Sequence, residues 1–197
     1  MTEGVLFYWF CWIFCVITLF FLEKNKARTF FSFWILISII CSNQYIKIDY
    51  YYSVSLTFII LYIGSLVIFS KLSNKIYHFI ASFTMMIGYV GLLLFEKNSP
   101  IWLIGPRMLL ISVITSVLIS FLSKNFYSRL AIGLVGMCSG EILYSIILVN
   151  YHMPKPIGEF VFLDTVLLTL FILFILKQFQ HVKEWIKIVI TKYTQPS

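Results

Sequence analysis

Residues 130–149 read LAIGLVGMCSGEILYSIILV, twenty residues in which Glu141 is the sole charge. An α-helix rises about 1.5 Å per residue, so about 20 apolar residues cross a hydrocarbon core about 30 Å thick. This stretch has the length and composition of a transmembrane helix, and the rest of the chain repeats the pattern. Apolar segments can be drawn at 5–22, 30–42, 51–70, 76–95, 101–122, 130–149 and 160–176, separated by short charged connections. Over all 197 residues, 60% are hydrophobic and 12% charged, against roughly 45–50% and about 25% in soluble domains. A compact soluble domain of this size would have to expose much of that apolar side chain. The composition therefore excludes a soluble enzyme, a secreted disulfide scaffold and a disordered chain. A transmembrane barrel is excluded too, because the segments lack the in/out alternation of barrel strands. The expected fold is all-α: seven transmembrane helices in one domain over 1–176, then a basic amphipathic tail over 177–197.

The second segment is the short one. To span, it has to carry Ser42, Asn43, Gln44 and Tyr45 onward as helix into the headgroup zone. Charge bias argues that it does cross. With seven crossings one side holds Lys24, Lys26, Arg28, Lys71, Lys75, Lys124, Arg129, Lys177, Lys183, Lys187 and Lys192, and the other Lys47, Lys97 and Lys155. The positive-inside rule puts the larger set in the cytoplasm, with the N-terminus outside and the tail inside a bacterial plasma membrane. Glu3, Asp49, Glu96 and Glu159 all fall on the outer side. Tyr45, Tyr50, Tyr51, Tyr52 and Trp102 fall at outer boundaries, as an interfacial aromatic belt does. The first segment has no basic n-region and no small-residue cleavage site, so it is a span and not a signal peptide.

In the tail, Phe179, Val182, Trp185, Ile186, Val189 and Ile190 recur at helical spacing, with Lys183, Glu184 and Lys187 on the other face. That pattern predicts a helix lying on the anionic inner leaflet, with docking of a cytoplasmic partner as the alternative. The net charge of +7 reflects this placement of bases at span ends, not nucleic-acid binding. The four cysteines, Cys11, Cys15, Cys41 and Cys138, all lie inside apolar runs without metal-ligand spacing and read as small apolar fillers.

Ionisable groups at membrane depth are costly, and each is a functional candidate. Counting along the segments puts Glu141 about 13 Å, Arg107 about 9 Å and Asp164 about 6 Å from the outer end. Helical Cα–Cβ bonds lean toward the helix N-terminus, so Arg107 and Asp164 lean outward and can pair or snorkel. Glu141 leans toward the membrane centre, away from both, and is the charge expected to be hardest to satisfy. Gly133, Gly136 and Gly140 beside it form a small-residue stripe, and such spacing admits a second helix closely. Ser145 follows one turn on. One reading is a protonated carboxyl buried in a tight helix pair, within the chain or with another membrane protein or a second copy. The other is a proton or cation site in a small carrier, with Arg107 and Asp164 toward its mouth. The connection 150–159 is stiffened by Pro154 and Pro156 and contains His152, and Gly105-Pro106 precedes Arg107.

No enzyme motif is recognisable. Cys138-Ser139-Gly140 lacks the first glycine of an intramembrane serine protease and has no histidine in a span to activate Ser139. The seventh segment has no mid-span lysine for a Schiff base, and there is no zinc-protease or phosphate-loop signature. The expectation is a non-enzymatic protein without a cofactor or metal, whose partner is the lipid bilayer.

The opening Glu3-Gly4-Val5-Leu6-Phe7-Tyr8-Trp9-Phe10, followed by Trp12 and a basic first loop, resembles the YphA-like family of small Bacillus-type membrane proteins. Length and span-dense layout are similar as well. The family supplies no catalytic or binding residues to carry over. The resemblance implies a plasma-membrane protein of an endospore-forming bacterium, linked to sporulation.

Overall fold

A computed structural model describes residues 4–21, 24–47, 52–98 and 106–194. Along the chain these form α1 (Val5–Phe21), α2 (Lys26–Cys41), β1 (Tyr45–Lys47), β2 (Ser53–Ser55), α3 (Leu56–Ser70), α4 (Lys75–Asn98), α5 (Arg107–Leu122), α6 (Phe126–Asn150) and α7 (Phe160–Thr194). The architecture is helical throughout apart from one short hairpin. Among the described residues three helices are long and apolar enough to cross a membrane: α4, α6 and the Phe160–Gln180 part of α7. Four apolar helices are shorter, Val5–Phe20, Arg28–Cys41, Leu56–Ser70 and Arg107–Leu122.

Two of the expected segments are cut short at the same end of the bundle. The second does not continue as helix through residues 42–45. Ser42 is buried at its C-cap, where Ser42 Oγ donates to the Ile39 carbonyl at 2.7 Å and meets the Tyr8 hydroxyl, also at 2.7 Å. The chain then turns into β1. The third helix starts at Leu56, not near Tyr51, because Ser53–Ser55 are drawn off as β2. Strands β1 and β2 pair antiparallel with Tyr45 opposite Ser55 and Lys47 opposite Ser53. The far connection adds a third line: Ile157 N–H donates to Ser53 O at 2.8 Å, and Ser55 N–H to Ile157 O at 3.0 Å. Gly158 lets that line approach, with φ +77° and no room for a Cβ against Phe58. Of the aromatic belt, Tyr50, Tyr51 and Trp102 lie outside the described residues, as do Glu3, Asp49 and Gly105.

Helix α4 packs along α6, α5 along α7, α1 against both α2 and α7, and α3 against α6. The α4–α6 contact is made by the glycine stripe. A Cβ on Gly136 would sit 2.7 Å from Met85 Cβ and 3.1 Å from the Ser82 carbonyl oxygen; one on Gly140 would sit 2.8 Å from Tyr89 Cδ1. Gly133 faces a different helix, with its Cβ position 2.7 Å from Ile119 Cδ1 of α5. The groove is thus filled from within the chain.

Helix α7 runs unbroken past the boundary expected after residue 176. Residues 160–194 contain neither glycine nor proline, so nothing in the backbone forces a stop there. Lys183 is exposed, and the side chains of Trp185 and Lys187 lie outside the described ones.

Candidate functional site

The three membrane-depth ionisable residues gather toward the hairpin end, each with a partner of its own. Glu141 sits on α6 next to Gly140 and is 2% exposed. Its Oε1 lies 3.7 Å from Lys155 Nζ, and Tyr89 of α4 contributes a side-chain hydrogen bond to the carboxylate. Lys155 reaches it because the connection between α6 and α7 dips into the bundle. Ser145 Oγ donates to the Lys155 carbonyl at 3.1 Å, one turn above Glu141. Pro154, exposed, and Pro156, half-buried, flank Lys155. Pro156 has no backbone N–H, so the chain strands one fewer donor where it turns inward. Lys155 Nζ also lies 3.2 Å from Glu159 Oε2 and 5.8 Å from the centroid of the Tyr144 ring. Glu141, Lys155 and Glu159 therefore alternate in charge from the interior outward. The carboxylate expected to be hardest to satisfy is paired, by a residue from the loop and not from a neighbouring span.

Arg107 and Asp164 go to separate partners. Arg107 is the first residue of α5 and not several residues inside a span, because Pro106 stands at the N-cap in an extended conformation. A proline at a helix start loses no hydrogen bond there. The Arg107 side chain is 47% exposed and its Nε pairs with Oε1 of Glu96, at the end of α4. Asp164, one turn into α7, is buried and accepts from the backbone of α1: Gly4 N–H at 2.9 Å and Phe7 N–H at 2.6 Å. The first amides of a helix have no intrahelical acceptor. A carboxylate supplied by another helix fills that need and also suits the positive end of the helix dipole.

Above Lys155 a cleft of about 460 Å³ opens between α4, α5, α6 and the inward loop. Glu96, Lys97, Arg107, Lys155 and Glu159 line it, with Leu93, Leu148, Met153 and Val161 among its apolar walls. Glu141 is not in the lining; Lys155 and Tyr144 stand between it and the cleft. Among the described residues no three of His, Cys, Asp or Glu stand close enough together to hold a metal ion.

Sequence reasoning missed Glu96 and Lys155 as partners, treating both as markers of sidedness. The i,i+4 spacing of Lys155 and Glu159 was the available signal for the second. Nothing in the sequence pointed to the amides of Gly4 and Phe7.

A family model described as YphA-like integral membrane protein matches residues 3–197. The "Uncharacterized protein YphA" of Bacillus subtilis (strain 168) is 26% identical over 180 residues, covering 91% of this chain and 89% of that protein. No solved structure matches.

Proposed function

We propose, from the premise that the chain belongs to the YphA-like integral membrane protein family, that it is a non-enzymatic, seven-span protein of the plasma membrane with a structural or scaffolding role. One observation supports this reading. All three of the ionisable residues expected at membrane depth serve the fold: Asp164 caps α1, Arg107 holds the end of α4, and Glu141 anchors the α6–α7 connection through Lys155. On this reading the four shorter helices also cross, with the hairpin and inward loop completing the outer layer. The lysine and arginine bias sets the N-terminus outside and the end of α7 inside. The lipid bilayer is the partner, with the part of α7 beyond Gln180 as a basic helix at the inner headgroups.

A small carrier using Glu141 is the second reading, favoured by the cleft that stops one residue short of that carboxylate. The experiment that separates them is complementation of a clean deletion by Glu141→Gln, scored on growth, spore formation and solute uptake. A structural carboxyl keeps its size as an amide, whose oxygen still accepts from Lys155, and Lys155 keeps Glu159 as counter-ion, so this variant should accumulate and complement. A fully accumulated but inactive variant would favour the carrier, since an amide exchanges no proton and offers no charge. A defect confined to spore formation in the deletion strain is the result that would tie the protein to sporulation. Orientation is checked by labelling Met153→Cys and Lys183→Cys separately on a cysteine-free background in intact cells. Only the first should react with an impermeant maleimide.

A further inference from the structure

The cleft at the hairpin end has two polar groups that the fold leaves incompletely used. Glu96 engages Arg107 through Oε1, while its Oε2 is buried without a hydrogen-bond partner among the described residues. A buried acceptor in that state carries a desolvation cost that a donor would relieve. Its carboxylate turns on a broad terminal torsion, so a modest rotation presents Oε2 to the cleft. Beside it, Lys97 Nζ has, among the described residues, only the Met153 thioether sulfur as its polar contact, at 3.0 Å. A thioether is a weak acceptor and leaves the ammonium free to take an anion. Arg107, across the same opening, has committed Nε to Glu96, which leaves the rest of its fork of donors. The other two charges of the lining, Lys155 and Glu159, are paired with each other.

We propose that this cleft binds a zwitterion made of a phosphodiester and a primary ammonium, the phosphoethanolamine group. The phosphate sits between Lys97 and the outer edge of the Arg107 guanidinium, which suits phosphate oxygens in pairs. The ammonium donates to Glu96 Oε2. A trimethylammonium has no N–H to give that oxygen, and a glycerol headgroup brings no positive charge, so choline and glycerol phosphodiesters bind worse. The volume of about 460 Å³ lies within the roughly 300–1,000 Å³ of ordinary small-molecule sites, and Leu93 and Val161 give the glycerol carbons an apolar wall. The same group comes from two sources: the headgroup of a phospholipid, or a free water-soluble phosphodiester. The lipid source rests on the seven-span reading, which sets the hairpin end among headgroups. The soluble source does not.

The test uses the full chain purified in detergent and has two arms. In the first, calorimetric titration compares glycerophosphoethanolamine with glycerophosphocholine and glycerophosphoglycerol. In the second, native mass spectrometry compares lipid retained from nanodiscs of equal phosphatidylethanolamine, phosphatidylcholine and phosphatidylglycerol. Selectivity for the ethanolamine compound in either arm is expected, at about tenfold over both analogues. Selectivity in the lipid arm alone identifies a headgroup site, and selectivity for the soluble compound identifies a free ligand. Glu96→Gln and Lys97→Gln should each weaken binding about tenfold. Lys97 is exposed and its substitution leaves the core untouched, so that variant reads binding even where Glu96→Gln perturbs folding. Equal binding of all three headgroups in both arms overturns the proposal, as does ethanolamine binding that survives Lys97→Gln.

Discussion

The helix pairs α4–α6 and α5–α7 solve the same problem with different chemistry. In a bilayer, lipid tails are as apolar as leucine, so helices gain little from hiding apolar side chains against each other. The α4–α6 pair responds by bringing backbones close: Gly136 and Gly140 give up their side chains to Met85 and Tyr89. The α5–α7 pair keeps its side chains and links them through hydroxyls. Ser112 Oγ donates to the Thr165 carbonyl at 3.2 Å, Thr115 and Thr169 hydroxyls meet at 3.1 Å, and Ser116 Oγ reaches the Thr169 carbonyl at 3.4 Å. Contact by shape tolerates no added atom. Contact by hydroxyls is spread over several weak bonds, and each one can be lost alone. The glycine pair should therefore be brittle and the hydroxyl pair forgiving.

The sharpest way to break that contrast is Gly136→Leu. Its Cβ would already collide with Met85 and press on the Ser82 backbone carbonyl at 3.1 Å, which cannot swing aside as a side chain can. The variant should fail to accumulate as a monodisperse species in detergent; normal accumulation would refute the brittle half of the comparison. Next in size is Lys155→Met, which strands the Glu141 carboxylate at the top of the glycine pair. A loss of about 3 kcal/mol is expected in detergent unfolding, largely restored by adding Glu141→Gln in the same chain. A double variant no more stable than Lys155→Met would mean that the pair is not coupled.

The two glycine contacts of α6 should separate as well. Gly136→Ala should cost about 2 kcal/mol, within the range for overpacking a fixed site. Gly133→Ala should cost less than half of that, because its one clash is with the end of the Ile119 side chain and not with backbone. Equal midpoint shifts for the two would show that the neighbour's freedom does not matter. The smallest effect belongs to the hydroxyl pair. Thr115→Val removes one interhelical bond at nearly constant shape, and about 0.6 kcal/mol is the expected loss. A loss comparable to Gly136→Ala would make the hydroxyl pair as brittle as the other.

How much of this was legible beforehand follows from how local each signal is. Helix existence was readable, since apolar runs of adequate length declare themselves within 20 residues. The glycine groove was readable for the same reason, from Gly136 and Gly140 four apart. The hydroxyl pair was not, because Ser112, Thr115 and Ser116 gain meaning only opposite Thr165 and Thr169, some fifty positions later. The hairpin was hidden by the way the chain was divided: Tyr45 to Lys47 fell in a short charged connection and Ser53 to Ser55 in the start of an apolar segment, and Ile157, which lines up beside β2, comes from a connection about a hundred residues later. Arg107 was counted from the start of the apolar run at residue 101, whereas Pro106 stands at the N-cap and Arg107 begins α5. Glu141 stood out in the sequence as the sole charge of its segment, but its partner sits fourteen positions away in a loop that reads as a surface turn.

The Asp164 cap has a consequence for how the protein is made. The acceptor for the amide of Gly4 lies 160 residues further along the chain, and that for Phe7 157 residues. At about 5–20 residues per second, ribosomes need roughly 10–30 s to deliver the second partner after the first. Helix α1 is made well before α7, and its leading amides wait for this acceptor until residue 164 has emerged. A nascent chain stalled before residue 164 would keep its first helix open to other acceptors, lipid headgroups or insertion machinery among them. The arrival of one aspartate closes α1 against α7 and marks, in chemical terms, that synthesis has passed residue 164.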